Sequence, residues 1–127
     1  MIKKDFPLLD FLFPRQCIHC KESLYSQEYF LCLNCHKSLP LTGNIGYRDN
    51  LTEQLFWGRF QFDIAFSYLS YLKDGIAQSL IHSVKYHGNL ELGRYLGRKM
   101  GQLIAEHFPD KFDLLIPLPL HEKKLKM

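Results

Sequence analysis

The sequence predicts an α/β chain headed by a small cysteine-built module. Three observations carry this reading. Cys17/Cys20 and Cys32/Cys35 form two C-x-x-C pairs close to the N-terminus. From residue 62, a segment alternating apolar and polar residues leads into two segments of helical periodicity, and the last of these gives way to a near-continuous apolar run at 112–118. Strand, helix, helix and buried strand in that order describe the opening of a mostly parallel sheet with covering helices. The boundaries expected are 1–50 for an N-terminal helix and the cysteine module, 51–61 for a connector, and 62–127 for the α/β part.

Composition fits a folded chain of ordinary size: 127 residues, 46% hydrophobic and 14% aromatic. This excludes disorder. A formal net charge of +3 is too small for a strongly basic nucleic-acid protein, so single-stranded DNA has weak support as a ligand. Residues 1–13 start with Lys3 and Lys4 ahead of Leu8, Leu9, Phe11, Leu12 and Phe13, but Asp5, Pro7 and Asp10 break the run. Arg15 and Gln16 then stand where a signal peptide needs small residues. No stretch approaches the roughly 20 apolar residues of a membrane span. The expectation is a cytoplasmic protein without membrane insertion, whose cysteines stay reduced unless they hold something.

Leu8, Leu9, Leu12 and Phe13 share one stripe of a short amphipathic helix that Pro14 ends. The stretch from Pro40 to Phe60, leading through the connector, is rich in turn residues (Pro40, Thr42-Gly43-Asn44, Gly46, Asp49-Asn50 and Gly58) and carries Leu55, Phe56 and Trp57 as an anchor. Phe62, Ile64, Phe66 and Tyr68 alternate with Asp63, Ala65 and Ser67, predicting a half-buried strand through about residue 72. Asp74 is the expected cap of a helix with Ile76, Ala77, Leu80, Ile81 and Val84 on one stripe, and Gly88 its stop. A second helix is expected over 90–107, ended by Pro109. Its Gly93, Gly97 and Gly101 would each cost about 1 kcal/mol relative to Ala, which predicts a face for close packing. The run 112–118 reads as a strand buried on both faces, and its unpaired edges predict self-association.

The cysteine spacing carries the most specific chemistry. Each two-residue gap aims both thiolates of a tight turn at one ion, and two such turns close a tetrahedron, so Cys17, Cys20, Cys32 and Cys35 are expected to hold one structural zinc. Iron in a rubredoxin-like site is a weaker alternative, since the knuckles lack the usual Pro and Gly. Cys32-Leu33-Asn34-Cys35-His36 also matches the c-type haem attachment pattern, which requires export. His19 and His36 are expected to be solvent-facing knuckle residues. No catalytic set emerges: Thr42 and Thr52 are the only threonines, and neither stands in a Gly-rich loop beside an acidic pair. His82, Lys85 and His87 end a helix, where positive charge complements the dipole. Lys85, together with His121, Lys124 and Lys126 beyond the apolar run, is a candidate for ligand or anion binding.

Leu9-Asp10-Phe11-Leu12-Phe13-Pro14 before the first C-x-x-C, Leu80-Ile81-His82 leading to Lys85-Tyr86-His87-Gly88, and Ile116-Pro117-Leu118-Pro119-Leu120-His121 with trailing lysines resemble the ComF/GntX family in this order. The resemblance implies a zinc ribbon followed by the first part of a type I phosphoribosyltransferase-like domain, incomplete here. The family's R-G-F-N-Q stretch would follow Met127, and its later acidic-Thr/Gly loop for phosphoribosyl pyrophosphate and magnesium is missing, so the chain as given is expected to be inactive. Residues 36–60 lack the further cysteines of a second ribbon, so one zinc is expected rather than two. The implied role is a phosphoribosyltransferase-type protein of competence and DNA uptake. The alternative is a non-enzymatic adaptor whose ribbon binds a ComFA-like helicase or translocase.

Overall fold

The computed structural model describes residues 14–118. The helix expected within 1–13, and His121, Lys124 and Lys126, lie outside the described residues. Among the described residues four helices follow one another: α1 at Leu33–Lys37, α2 at Leu51–Gln54, α3 at Ile76–Tyr86 and α4 at Leu90–His107. Strand pairing among the described residues reduces to two isolated antiparallel bridges, Gln16 with Ser23 and Leu41 with Leu69. The helical half of the expected α/β order is therefore present. Its two strands are not.

The reason at 62–72 is that side chains take the backbone groups a ladder would use. Asn50 Nδ2 donates to the Ala65 carbonyl at 2.9 Å, and Ala65 N–H donates to the Glu53 carboxylate at 3.3 Å. Ser67 N–H donates to Asn44 Oδ1 at 3.3 Å, and the Thr42 hydroxyl donates to the Ser67 carbonyl. The backbone pairs are Thr42 N–H to Tyr68 O (3.2 Å), Ser70 N–H to Pro40 O (2.8 Å) and, in the turn that follows, Gly75 N–H to Leu72 O (3.1 Å). With these groups taken by side chains and turns, no continuous ladder forms along the segment. Asn50 also caps α2, accepting from Thr52 N–H and Glu53 N–H at 2.9 and 3.1 Å. Glu53 is 3% exposed, accepts from Asp49 N–H at 2.6 Å and lies 3.8 Å from the Arg48 guanidinium. Of the expected connector anchor, Phe56 alone packs inward, against Phe60 and Phe62. Leu55 and Trp57 are exposed.

At 112–118 the apolar run is extended and unpaired, with Leu115 and Leu118 each 90% exposed. A strand gains from its apolar side chains only when layers cover both faces, and no such layer stands among the described residues.

The helix pair follows its sequence pattern closely. Gly75, rather than Asp74, is the N-cap of α3, because Asp74 adopts φ 60° and its N–H turns to the Gln78 side chain at 2.7 Å. Gly88, at φ 61°, turns the chain out of α3 in the left-handed conformation that glycine adopts without strain. Asn89 then caps α4, accepting from Leu92 N–H at 3.1 Å. Leu80 and Leu92 are 1% and 0% exposed where the two helices meet. The glycine face is a correction. A Cβ on Gly93 would touch Val84 Cγ1 at 3.5 Å, an ordinary contact, while Gly97 and Gly101 have open space around them. Close approach occurs instead at Gly46, where φ is 86° and a Cβ would stand 2.7 Å from His107 Cδ2.

Candidate metal centre

The first knuckle is a turn whose strain is met locally. Lys21 adopts φ 65°, Lys21 N–H donates to Cys17 O at 3.0 Å, and Cys17 N–H donates to Glu22 O at 2.8 Å. The second knuckle opens α1, with His36 N–H on Cys32 O at 2.8 Å. Between the knuckles Glu28 works as a clasp: one carboxylate oxygen accepts Tyr25 N–H at 2.8 Å, the other Leu33 N–H at 2.6 Å. Cys32 makes no side-chain cap for α1, so Glu28 meets that orphan donor from five residues upstream. Ile18 N–H to Phe30 O, at 2.9 Å, joins the halves.

This scaffold brings the four sulfurs of Cys17, Cys20, Cys32 and Cys35 within 4.8 Å of one another, with Cys20 Sγ 3.6 Å from Cys32 Sγ. Tetrahedral zinc with Zn–S of about 2.3 Å places its ligands about 3.8 Å apart. The four cysteines are thus positioned to bind one zinc ion. All four are free thiols, and 3.6 Å is far beyond a disulfide bond of about 2.05 Å. Cys17, Cys32 and Cys35 are buried and Cys20 is exposed.

The electrostatics show what the cation contributes. Burial pushes the Cys17 thiol up, but hydrogen bonds from the backbone of Cys32, Cys20 and His19 outweigh it and hold the thiol at about 7, against an ordinary 9.0. Burial pushes Cys35 up, and the neighbouring thiols of Cys32, Cys20 and Cys17 push it further. At Cys20 the Glu22 backbone pulls down, yet desolvation and the Cys17 and Cys32 thiols leave it raised. Cys17 is thus the more readily ionised thiol, while Cys20 and Cys35 resist ionisation that a divalent cation would favour. Zinc held by four protein ligands has no open position for substrate, so its role is structural.

His36 is exposed, as expected of a knuckle residue, whereas His19 is not. His19 is half-buried, with Nδ1 3.0 Å from Ser79 Oγ on α3. His36 Nε2 lies 3.4 Å from the Tyr95 hydroxyl on α4. The haem alternative fails here, since Cys32 faces Cys20 inside the sulfur cluster and His36 is turned to Tyr95. Lys85 is exposed in the last turn of α3, while the nearby cleft beside the first knuckle is lined by His19, Lys21, His82 and His87 instead. Glu28, Asn44, Asn50 and Glu53, which fix the loops, were not singled out by periodicity or motif; their partners lie in turns that no local pattern encodes.

The ribbon does not stand apart from the helices. Cys17, Leu31, Cys32, Cys35, Leu80 and Leu92 form one buried cluster, flanked by Ile18, Phe30, Val84 and Tyr95. Residues 8–46 match the family of double zinc ribbon domains. This stretch contains all four cysteines, enough for one closed tetrahedral site. No curated protein and no solved structure matches the chain. Among the described residues, no helix is long and apolar enough to cross a membrane.

Proposed function

We propose that the chain is a ComF-like protein, of phosphoribosyltransferase type and associated with competence and DNA uptake, in which the zinc ribbon and the α3–α4 pair form one scaffold for binding rather than a catalytic centre. The observation that carries this is the shared core: zinc ligands and helix residues bury one another, so the metal fixes the helices as well as the ribbon. The matched ribbon and the segments Leu80-Ile81-His82 and Lys85-Tyr86-His87-Gly88 support the family reading. The run 112–118 stands in that reading as the first core strand of a phosphoribosyltransferase-like sheet. No acidic pair in a Thr/Gly loop is present in the sequence to hold phosphoribosyl pyrophosphate with magnesium.

The adaptor reading is favoured by one feature, the exposure of Tyr25 and Tyr29 on the ribbon at 79% and 73%. Aromatic side chains are enriched at protein interfaces. Titration of the zinc-loaded chain with phosphoribosyl pyrophosphate and magnesium, and separately with a purified ComFA-like translocase, tests both readings. The expected result is no heat from the pyrophosphate and saturable binding of the translocase, weakened by Tyr25→Ser. Saturable pyrophosphate binding by this chain would overturn the scaffold reading, and failure to bind the translocase would overturn the adaptor role.

A further inference from the structure

The four cysteines of the metal centre do not face solvent equally. Cys17, Cys32 and Cys35 are buried, whereas Cys20 is exposed with its Sγ 3.6 Å from Cys32 Sγ. Peroxides oxidise thiolates, and the susceptible cysteine is the accessible one with a second sulfur beside it to resolve the sulfenic acid. Zinc, when bound, keeps its cysteine ligands deprotonated. Of the four, Cys20 is the one that joins access to a sulfur already in contact.

Other bonds draw the loop between these two cysteines together. Glu28 bridges Tyr25 N–H and Leu33 N–H, and Ile18 N–H meets Phe30 O. A Cys20–Cys32 disulfide then requires the two sulfurs to close from 3.6 Å to about 2.05 Å within a hairpin that is pinned on both sides. The metal centre is also tied to the helices. His19, next to Cys20, has Nδ1 3.0 Å from Ser79 Oγ on α3, and His36, next to Cys35, has Nε2 3.4 Å from the Tyr95 hydroxyl on α4. Each knuckle thus touches one helix, and Cys17, Cys32 and Cys35 share their core with Leu80 and Leu92.

We propose that Cys20 is a site of oxidation by hydrogen peroxide, resolved by Cys32 into a disulfide that opens the metal centre and loosens α3 and α4. The Cys20 thiolate attacks one peroxide oxygen, the O–O bond breaks, and hydroxide leaves as the sulfenic acid forms. The Cys32 thiolate attacks the sulfenic sulfur and a second hydroxide leaves. Two protons from solvent turn both hydroxides into water, and the two electrons lost by the sulfurs are those the peroxide gains. Cys17 and Cys35 then remain as a pair, short of the four ligands of a structural zinc site. This modification is independent of any role in DNA uptake.

Peptide mapping of the zinc-loaded full chain, after brief exposure to hydrogen peroxide with the sulfenic-acid trap dimedone, tests the site. Dimedone should mark Cys20 before Cys17, Cys32 or Cys35. Without the trap, a Cys20–Cys32 disulfide should form while a chelating dye reports zinc in solution, and a phosphine reductant with added zinc should restore the metal. First labelling at another cysteine, a disulfide within either C-x-x-C pair, zinc retained by the oxidised chain, or no reaction at all would overturn the proposal. Amide exchange reads the link to the helices: Leu80 and Leu92 should exchange about tenfold faster in the oxidised chain. Unchanged exchange there would overturn that link.

Discussion

The rings of Phe30 in the ribbon and Tyr95 in α4 pack with centroids 5.5 Å apart and planes tilted by 47°. They join the loop between the two knuckles to the longest helix, and the Tyr95 hydroxyl continues to His36 in α1. Removing this pair should loosen the helices from the ribbon without touching a thiol. Tyr95→Ala is expected to cost about 2 kcal/mol, from the lost aromatic pair and partial burial, with zinc content unchanged. Urea unfolding followed beside metal analysis checks both halves of that statement.

Glu28 accepts two backbone donors that nothing else in the ribbon meets. Glu28→Ala should cost about 0.5–1.5 kcal/mol and fray the start of α1, because two bonds to a carboxylate are lost, although water can reach the exposed donors left behind. Thermal melting of the zinc-loaded protein measures it, and Glu28→Gln, which keeps one carbonyl oxygen, should recover part of the loss.

Gly97 lies on an exposed face of α4 with nothing near enough to meet a Cβ. Gly97→Ala should therefore stabilise the protein by about 0.4–1 kcal/mol, through helix propensity and a less flexible unfolded chain. Gly46→Ala should do the opposite, since both its positive φ and His107 stand against a side chain. Melting temperatures of the two variants should move in opposite directions.

Zinc uptake should depend on pH with a sign set by the thiols. Metal binding displaces protons, so apparent affinity falls as pH falls. Cys17 is ionised above about 7 and has no proton to give there. Uptake at about pH 8 should thus release close to one proton fewer than uptake at about pH 6. Calorimetry in buffers of different ionisation enthalpy counts the difference.

How far the residues spoke for themselves differs along the chain. The cysteine spacing encodes tetrahedral ligation directly, and α4 could be bounded because Leu92, Leu96 and Leu103 repeat at helical spacing ahead of Pro109. Gly88 marked the turn between the helices for a local reason as well. The segment 62–72 misled because alternation at Phe62, Ile64, Phe66 and Tyr68 reports which side chains turn inward and not what pairs with the backbone. Its partners, Asn44, Asn50 and Glu53, sit 12 to 23 residues away in turns. Gly97 and Gly101 misled in a similar way, since a glycine's cost in a helix says nothing about whether a neighbour is there to exploit the missing Cβ. The fusion of ribbon and helices into one core was legible in neither segment alone.

Native mass measurement of the protein, with Cys32→Ser beside it, tests the central claim that one zinc held by four thiolates anchors the shared core. The account predicts the mass of the chain plus a single zinc, and for Cys32→Ser loss of the metal together with loss of the ordered packing around Tyr95. A chain binding two zinc ions or none, or a Cys32→Ser variant that keeps both its metal and that packing, would contradict it.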